Sequence, residues 1–295
     1  MKILLAVDSS PASVSAARDI AARPWPSGTT AQVVTVVEPL LGWSSPQLEE
    51  ALHRSGEQTV ENAADYLRAA GFQTETAVLV GDPKTALVNA AEEGDVDLIV
   101  IGANSTRGVM QFLLGGVARA VARLAPCSVE IVRRNPGPEP LSILIATDGS
   151  DCSNAAVRSV AGRPWPDGTE FRILSAVEPT SPLLHPHYFS EQALEELRGK
   201  DMQRAQAAIS TAERILCPAG IRASTTVAVP CATAKELILS EAAEWNADMI
   251  VVGSHGRRGF NRLLLGSVSE AVALHAQCSV EIIRRPIQSS AVRLP

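Results

Sequence analysis

At 295 residues the chain is about twice the length of a typical domain of roughly 150, so two domains, each with its own core, are expected. A composition of 46% hydrophobic and 20% charged residues excludes a disordered tail or a fibre, and no apolar run reaches the roughly 18 to 20 residues that span a bilayer. With 26 Lys and Arg against 32 Asp and Glu, a net charge of -6 and no polybasic arm, the chain also argues against a general nucleic-acid surface, which needs clustered cations.

The opening Met1-Lys2-Ile3-Leu4-Leu5-Ala6-Val7-Asp8 has neither a full-length apolar signal core nor a small-residue cleavage site. It reads as a strand over 3–7 and places the protein in the cytoplasm. Ser10 before Pro11 starts a helix over 11–22, a capping hydroxyl followed by proline in the first turn. Strands follow at 33–37, 76–80, 98–101 and 129–132, alternating with helices at 46–70, 84–93 and 116–124. Most of these strands are apolar at consecutive positions, the pattern of a parallel sheet buried on both faces.

The whole unit is then written again. Ile3 to Ser10 recurs as Ile143 to Ser150, and Arg23-Pro24-Trp25-Pro26 as Arg163-Pro164-Trp165-Pro166, at an offset of 140. Asp97-Leu98-Ile99-Val100 recurs as Asp248-Met249-Ile250-Val251, and Cys127-Ser128-Val129-Glu130-Ile131 as Cys278-Ser279-Val280-Glu281-Ile282, at an offset of 151. The second copy therefore carries 11 extra residues between Pro179 and Asp248. The run from Asn135 to Pro140 is a proline-rich linker. The chain divides into a first domain at 1–135, a linker at 136–140, a second domain at 141–286 and a tail at 287–295. Cys127, Cys152, Cys217, Cys231 and Cys278 are odd in number and widely spaced, which fits neither a disulfide framework nor a CxxC zinc site.

An α/β unit with strand order 3-2-1-4-5 opens its ligand crevice at the carboxyl ends of strands one and four, where the order reverses. Asp8 and Asp148 follow the first strands, and Gly102 and Gly253 end the fourth. From Gly253 to the next helix start at Ser267 lie over a dozen residues, against the roughly 2 to 6 usual for a strand-to-helix loop. Gly253, Gly256 and Gly266 let the backbone approach an anion, and the helix opening at Ser267 favours phosphate at its amino end. Ser267 and Glu270 are spaced as a capping box.

The spacing G-x2-G-x9-G-[ST] after a fourth strand, with an aspartate after the first, resembles the nucleotide-binding signature of the universal stress protein family in tandem form. Gly253, Gly256, Gly266 and Ser267 satisfy it, within the text Arg262 to Val268. The resemblance implies two tandem Rossmann-like α/β domains that bind ATP, with Mg2+ or Mn2+, in a stress-response or signalling role without catalysis. It places Asp148 at the ribose, the Ala176 backbone at the adenine edge, and Gly253, Gly256, Gly266, Ser267 and Val268 around the phosphates. The matching positions of the first copy are Asp8, Val36, Gly102, Ser105, Gly115, Gly116 and Val117.

That copy departs from the signature at Ser105 and Gly116, and its loop carries Arg107 alone where the second has Arg257, Arg258 and Arg262. Both halves are expected to bind, the second more tightly. His255, and His185 with His187 in the extra segment, are weaker ligand candidates. Trp25 and Trp165 read as packing residues, and Cys127 and Cys278 as small side chains before the last strands. Those last strands, apolar sheet edges, would pair antiparallel about a pseudo-twofold axis, so that one chain mimics a dimer; chains could dimerise further. A slow ATP-hydrolysing enzyme and a module that binds nothing are the competing functions. Neither loop has a nearby lysine or a G-x4-GK-[ST] motif for phosphoryl transfer.

Overall fold

Each apolar run becomes a parallel strand, and each longer amphipathic stretch a covering helix. A computed structural model describes residues 1–39, 45–103, 114–133, 140–177, 190–228, 232–257 and 265–284. In chain order the first half is β1 (Lys2–Ala6), α1 (Pro11–Ala22), β2 (Thr30–Val37), α2 (Pro46–Ala69), β3 (Gln73–Val80), α3 (Pro83–Glu93), β4 (Leu98–Gly102), α4 (Gly116–Leu124) and β5 (Ser128–Val132). The second half repeats it as β6 (Ser142–Ala146), α5 (Asp151–Ala161), β7 (Glu170–Ala176), α6 (Glu191–Leu216), β8 (Ala223–Ala228), α7 (Ala234–Glu244), β9 (Met249–Gly253), α8 (Ser267–His275) and β10 (Ser279–Ile283).

The ten strands among the described residues form one sheet, in the order β3-β2-β1-β4-β5-β10-β9-β6-β7-β8. Each half is parallel and runs 3-2-1-4-5, as expected. The halves join through the antiparallel pair β5–β10, with Val280 opposite Ile131, Glu281 opposite Glu130 and Ile282 opposite Val129. The expected pairing of the last strands is therefore formed within the chain. The proline-rich segment between the halves lies largely outside the described residues.

Strand alternation sends successive side chains to opposite faces. Leu4 and Ala6 join Ile99, Ile131, Leu144, Ile250 and Val280 in a core that runs unbroken across both halves on the α3, α4, α7 and α8 face. Ile3 and Leu5 face the other way, against Ile20, Val60 and Leu67. Their counterparts Ile143 and Ile145 pack with Val157, Ile209 and Leu216 in a separate core. Trp25 and Trp165 pack at the edges of these two cores, each ring N–H donating to a carbonyl of the preceding helix at 2.9 Å. Strand β3 departs from the continuous-apolar expectation. As an outer strand it is only half covered, and polar residues such as Gln73 and Glu75 occupy its open positions.

Candidate functional site

In the second half the aspartate after β6 is held by short local bonds. The Ser150 amide donates to Asp148 Oδ1 at 2.9 Å, and the same serine caps α5 by accepting from the Ser153 amide at 3.2 Å. From the loop after β9, the Arg257 amide donates to Asp148 Oδ2 at 3.0 Å and its Nε to the Asp148 carbonyl at 2.5 Å. A Cβ on Gly256 would stand 2.9 Å from Asp148 Oδ2, so glycine leaves room for this loop to lie against the carboxylate. Burial opposes ionisation of Asp148, but donors from Ser150, Arg257 and Ser153 outweigh it and hold the carboxyl below its usual range. The loop and the first strand thus meet at the switch point of the sheet.

Gly253 also has a packing task. A Cβ there would approach the backbone of Cys152 and Ser153 within 2.6 to 2.7 Å, and Gly102 stands in the same relation to Ala12 at 2.7 to 2.8 Å. Both glycines let the fourth strand of a half seat against the first turn of its first helix. The Gly266 amide is donated to the Ser254 carbonyl at 2.8 Å, and Gly115 matches it with Ala103 at 2.7 Å. Among the described residues, the first-turn amides of Ser267 and Val268 have no intrahelical acceptor and are available to an anion. Ser267 is exposed, while Ala176 ends β7 in register with Ala228.

The expected capping box does not form. Helix α8 takes Gly266 as its cap, with no side-chain cap bond, which moves Glu270 one place beyond the capping register. Ser269 instead donates to the Ser254 and Gly266 carbonyls at 2.9 Å each. Glu270 turns to α4 of the other half, 3.3 Å from Arg119 and 3.9 Å from Arg123.

In the first half a cleft of about 260 Å³ brings together Asp8, Val36, Gly102, Gly115 and Val117, with Glu38 also on its wall. Asp8 Oδ1 accepts from the Ser13 hydroxyl at 2.6 Å and from the Ser10 amide at 3.0 Å. Gly116 opens α4 with no atom of the described residues within 4 Å of where a side chain would begin. Ser105, Arg107, Arg258, Arg262, His185, His187 and Cys231 lie outside the described residues. Among the described residues no three His, Cys, Asp or Glu are grouped to hold a metal. His255 is half-buried, with Nδ1 3.2 Å from the Ser254 hydroxyl and Nε2 without a partner among the described residues.

Sequence reasoning missed the serines that orient the aspartates. Ser13 and Ser153 stand at the same offset of 140 as Asp8 and Asp148, which is the signal that would have found them.

The model of the universal stress protein family matches residues 1–133 and again 141–284. A universal stress protein of Mycobacterium tuberculosis is 28% identical over 314 aligned positions, covering 97% of each chain. One from Mycobacterium bovis is 28% identical over 247, covering 78% of this chain and 77% of its own. The crystal structure of a universal stress protein from Archaeoglobus fulgidus shares the fold at a TM-score of 0.66 and 21% identity, over 96% of both chains. Two successive family matches, one on each half of a single ten-stranded sheet, make the chain a member of the universal stress protein family.

Proposed function

We propose that the protein is an ATP-binding stress-response protein whose nucleotide occupancy, not turnover, carries the signal. The observation that supports the reading is the meeting of Asp148 and Gly256 where β6 and β9 end, with the loop after β9 leading to a helix whose first-turn amides, at Ser267 and Val268, have no intrahelical acceptor. A carboxylate there can accept from ribose hydroxyls, and amides at a helix start can take phosphate oxygens. The Ala176 backbone would meet the adenine edge. With no metal-holding cluster among the described residues, Mg2+ or Mn2+ would ride on the phosphates. The first-half cleft would bind more weakly, since Gly116 supplies no hydroxyl where Ser267 does.

Mass spectrometry of ligand released from freshly purified protein, with titration of ATP and Mg2+ into wild type and Asp148→Ala, tests this. ATP should be released, and the variant should bind at least tenfold more weakly, about 1.4 kcal/mol. Release of no adenine nucleotide together with no binding heat would overturn the reading.

A further inference from the structure

Where the two halves meet, the sheet carries an ionic cluster on the face covered by α1 and α5. Glu130 and Glu281 are directly opposite each other across β5–β10, and their exposures are 0% and 1%. Like charges so placed repel, and burial sharpens the repulsion. Arg23, which follows α1, grips both oxygens of Glu130 at 2.7 and 2.8 Å. Arg163, which follows α5, reaches Glu281 at 2.5 Å. Both guanidiniums lie over the Trp25 ring, at 4.9 and 5.9 Å from its centre.

A third carboxyl breaks the symmetry. Asp19 of α1, 1% exposed, lies 2.6 Å from Arg23 Nη2, the same nitrogen that grips Glu130, so the two carboxyls converge on one cation. Among the described residues Asp19 Oδ2 has no aligned donor, despite that closeness to Arg23. The corresponding residue of the second half is Ser159, whose carbonyl accepts from Arg163. Three acids thus face two guanidiniums, leaving one negative charge unmatched if all five ionise. Two buried carboxyl groups brought to one cation resist ionising together, and a proton kept by the pair relieves the excess charge.

We propose that Asp19 and Glu130 share a single proton at the junction of the halves, making the union of the two half-sheets proton-linked through a site present on one side only. The groups facing this pair are Arg23 from the end of α1, Glu281 from β10 and Arg163 from the end of α5. Burial raises both carboxyls, against the pull of Arg23, in keeping with proton retention. An acid raised in the folded state binds its proton more tightly there than in the unfolded chain. Its stabilisation is therefore full below the ordinary carboxyl range and is lost as pH rises through the folded value.

The test compares wild type with Asp19→Asn, which keeps the shape of the protonated acid, and Asp19→Ser, which copies the second half. Urea unfolding from about pH 5 to pH 9 should show the wild-type folding constant falling relative to either variant, by up to tenfold per pH unit within the titration window. Parallel profiles would overturn the proposal. Infrared spectra of the wild type supply a readout that does not depend on variant folding. A protonated-carboxyl band should be present near pH 6 and should vanish at high pH; its absence near pH 6 would equally overturn the proposal.

Discussion

Arg284, the residue after β10, donates to the main-chain carbonyl of Arg123 in α4 of the opposite half at 2.9 Å. The same Nη2 reaches the Ala122 carbonyl at 2.7 Å, and Arg133, the residue after β5, returns the arrangement by donating to Ala273 in α8. Each half thus ends in a cation that satisfies the last-turn carbonyls of its neighbour's helix, where the dipole is negative. Arg284→Met keeps much of the stem and removes these charge-assisted bonds. It should cost about 2 to 3 kcal/mol in urea unfolding, with a comparable loss for Arg133→Met. No change in either variant would show that the helix ends are served by water instead.

Gly253→Ala and Gly102→Ala should both destabilise the fold, by about 1 to 3 kcal/mol, because the new Cβ meets helix backbone inside contact distance. Thermal denaturation reads this directly. Gly116→Ser should be neutral or slightly stabilising, since that position is open and serine is the better helix former. By restoring the hydroxyl of the second half, it should also tighten ATP at the first-half cleft several-fold in titration.

The repeat in the sequence pointed to two like halves; the strand order within each followed the doubly wound pattern, and the β5–β10 pairing followed from two like apolar last strands that can cover one another. The doubly wound pattern also brought Asp148, Gly256 and Ser267 to one end of the sheet. The tasks of individual glycines were not legible. Gly253, which the resemblance places at the phosphates, is also constrained by the Cys152 backbone, about a hundred residues away in sequence. The box expected from Ser267 and Glu270 failed because the Gly266 amide pairs with Ser254, starting the helix one residue early. The ionic junction left a trace that could have been followed: Glu130 and Glu281 each stand between apolar neighbours in a buried strand, where a solvated charge has no place.

Asp148 makes acid sensitivity a readout of loop docking. Its carboxyl is held below the usual range by bonds from Ser150, Arg257 and Ser153 that prevail over burial. A group depressed in the folded state stabilises it above the unfolded carboxyl value and loses that contribution as pH falls through the folded one. Asp148→Asn should therefore flatten the fall in stability between about pH 4 and pH 2, and leave the slope above pH 5 unchanged. Acid denaturation followed by tryptophan fluorescence checks it, and coincident curves would show that the loop does not stabilise the charge.

Removing one cation from the junction should be far more damaging than removing an acid. Arg23 is buried, and Asp19 and Glu130 sustain its charge against desolvation. Arg23→Met would leave Asp19 and Glu130 with no guanidinium within ion-pair distance among the described residues, and would leave Glu281 opposite an uncompensated like charge. Breaking one side of a buried pair in this way costs about 3 to 5 kcal/mol. A joint Arg23→Met, Glu130→Gln and Asp19→Asn variant removes the stranded charges together with the cation and should recover most of that loss in urea unfolding. If the single and triple variants are equally unstable, the damage comes from lost packing of the arginine stem against Trp25, and not from stranded carboxylates.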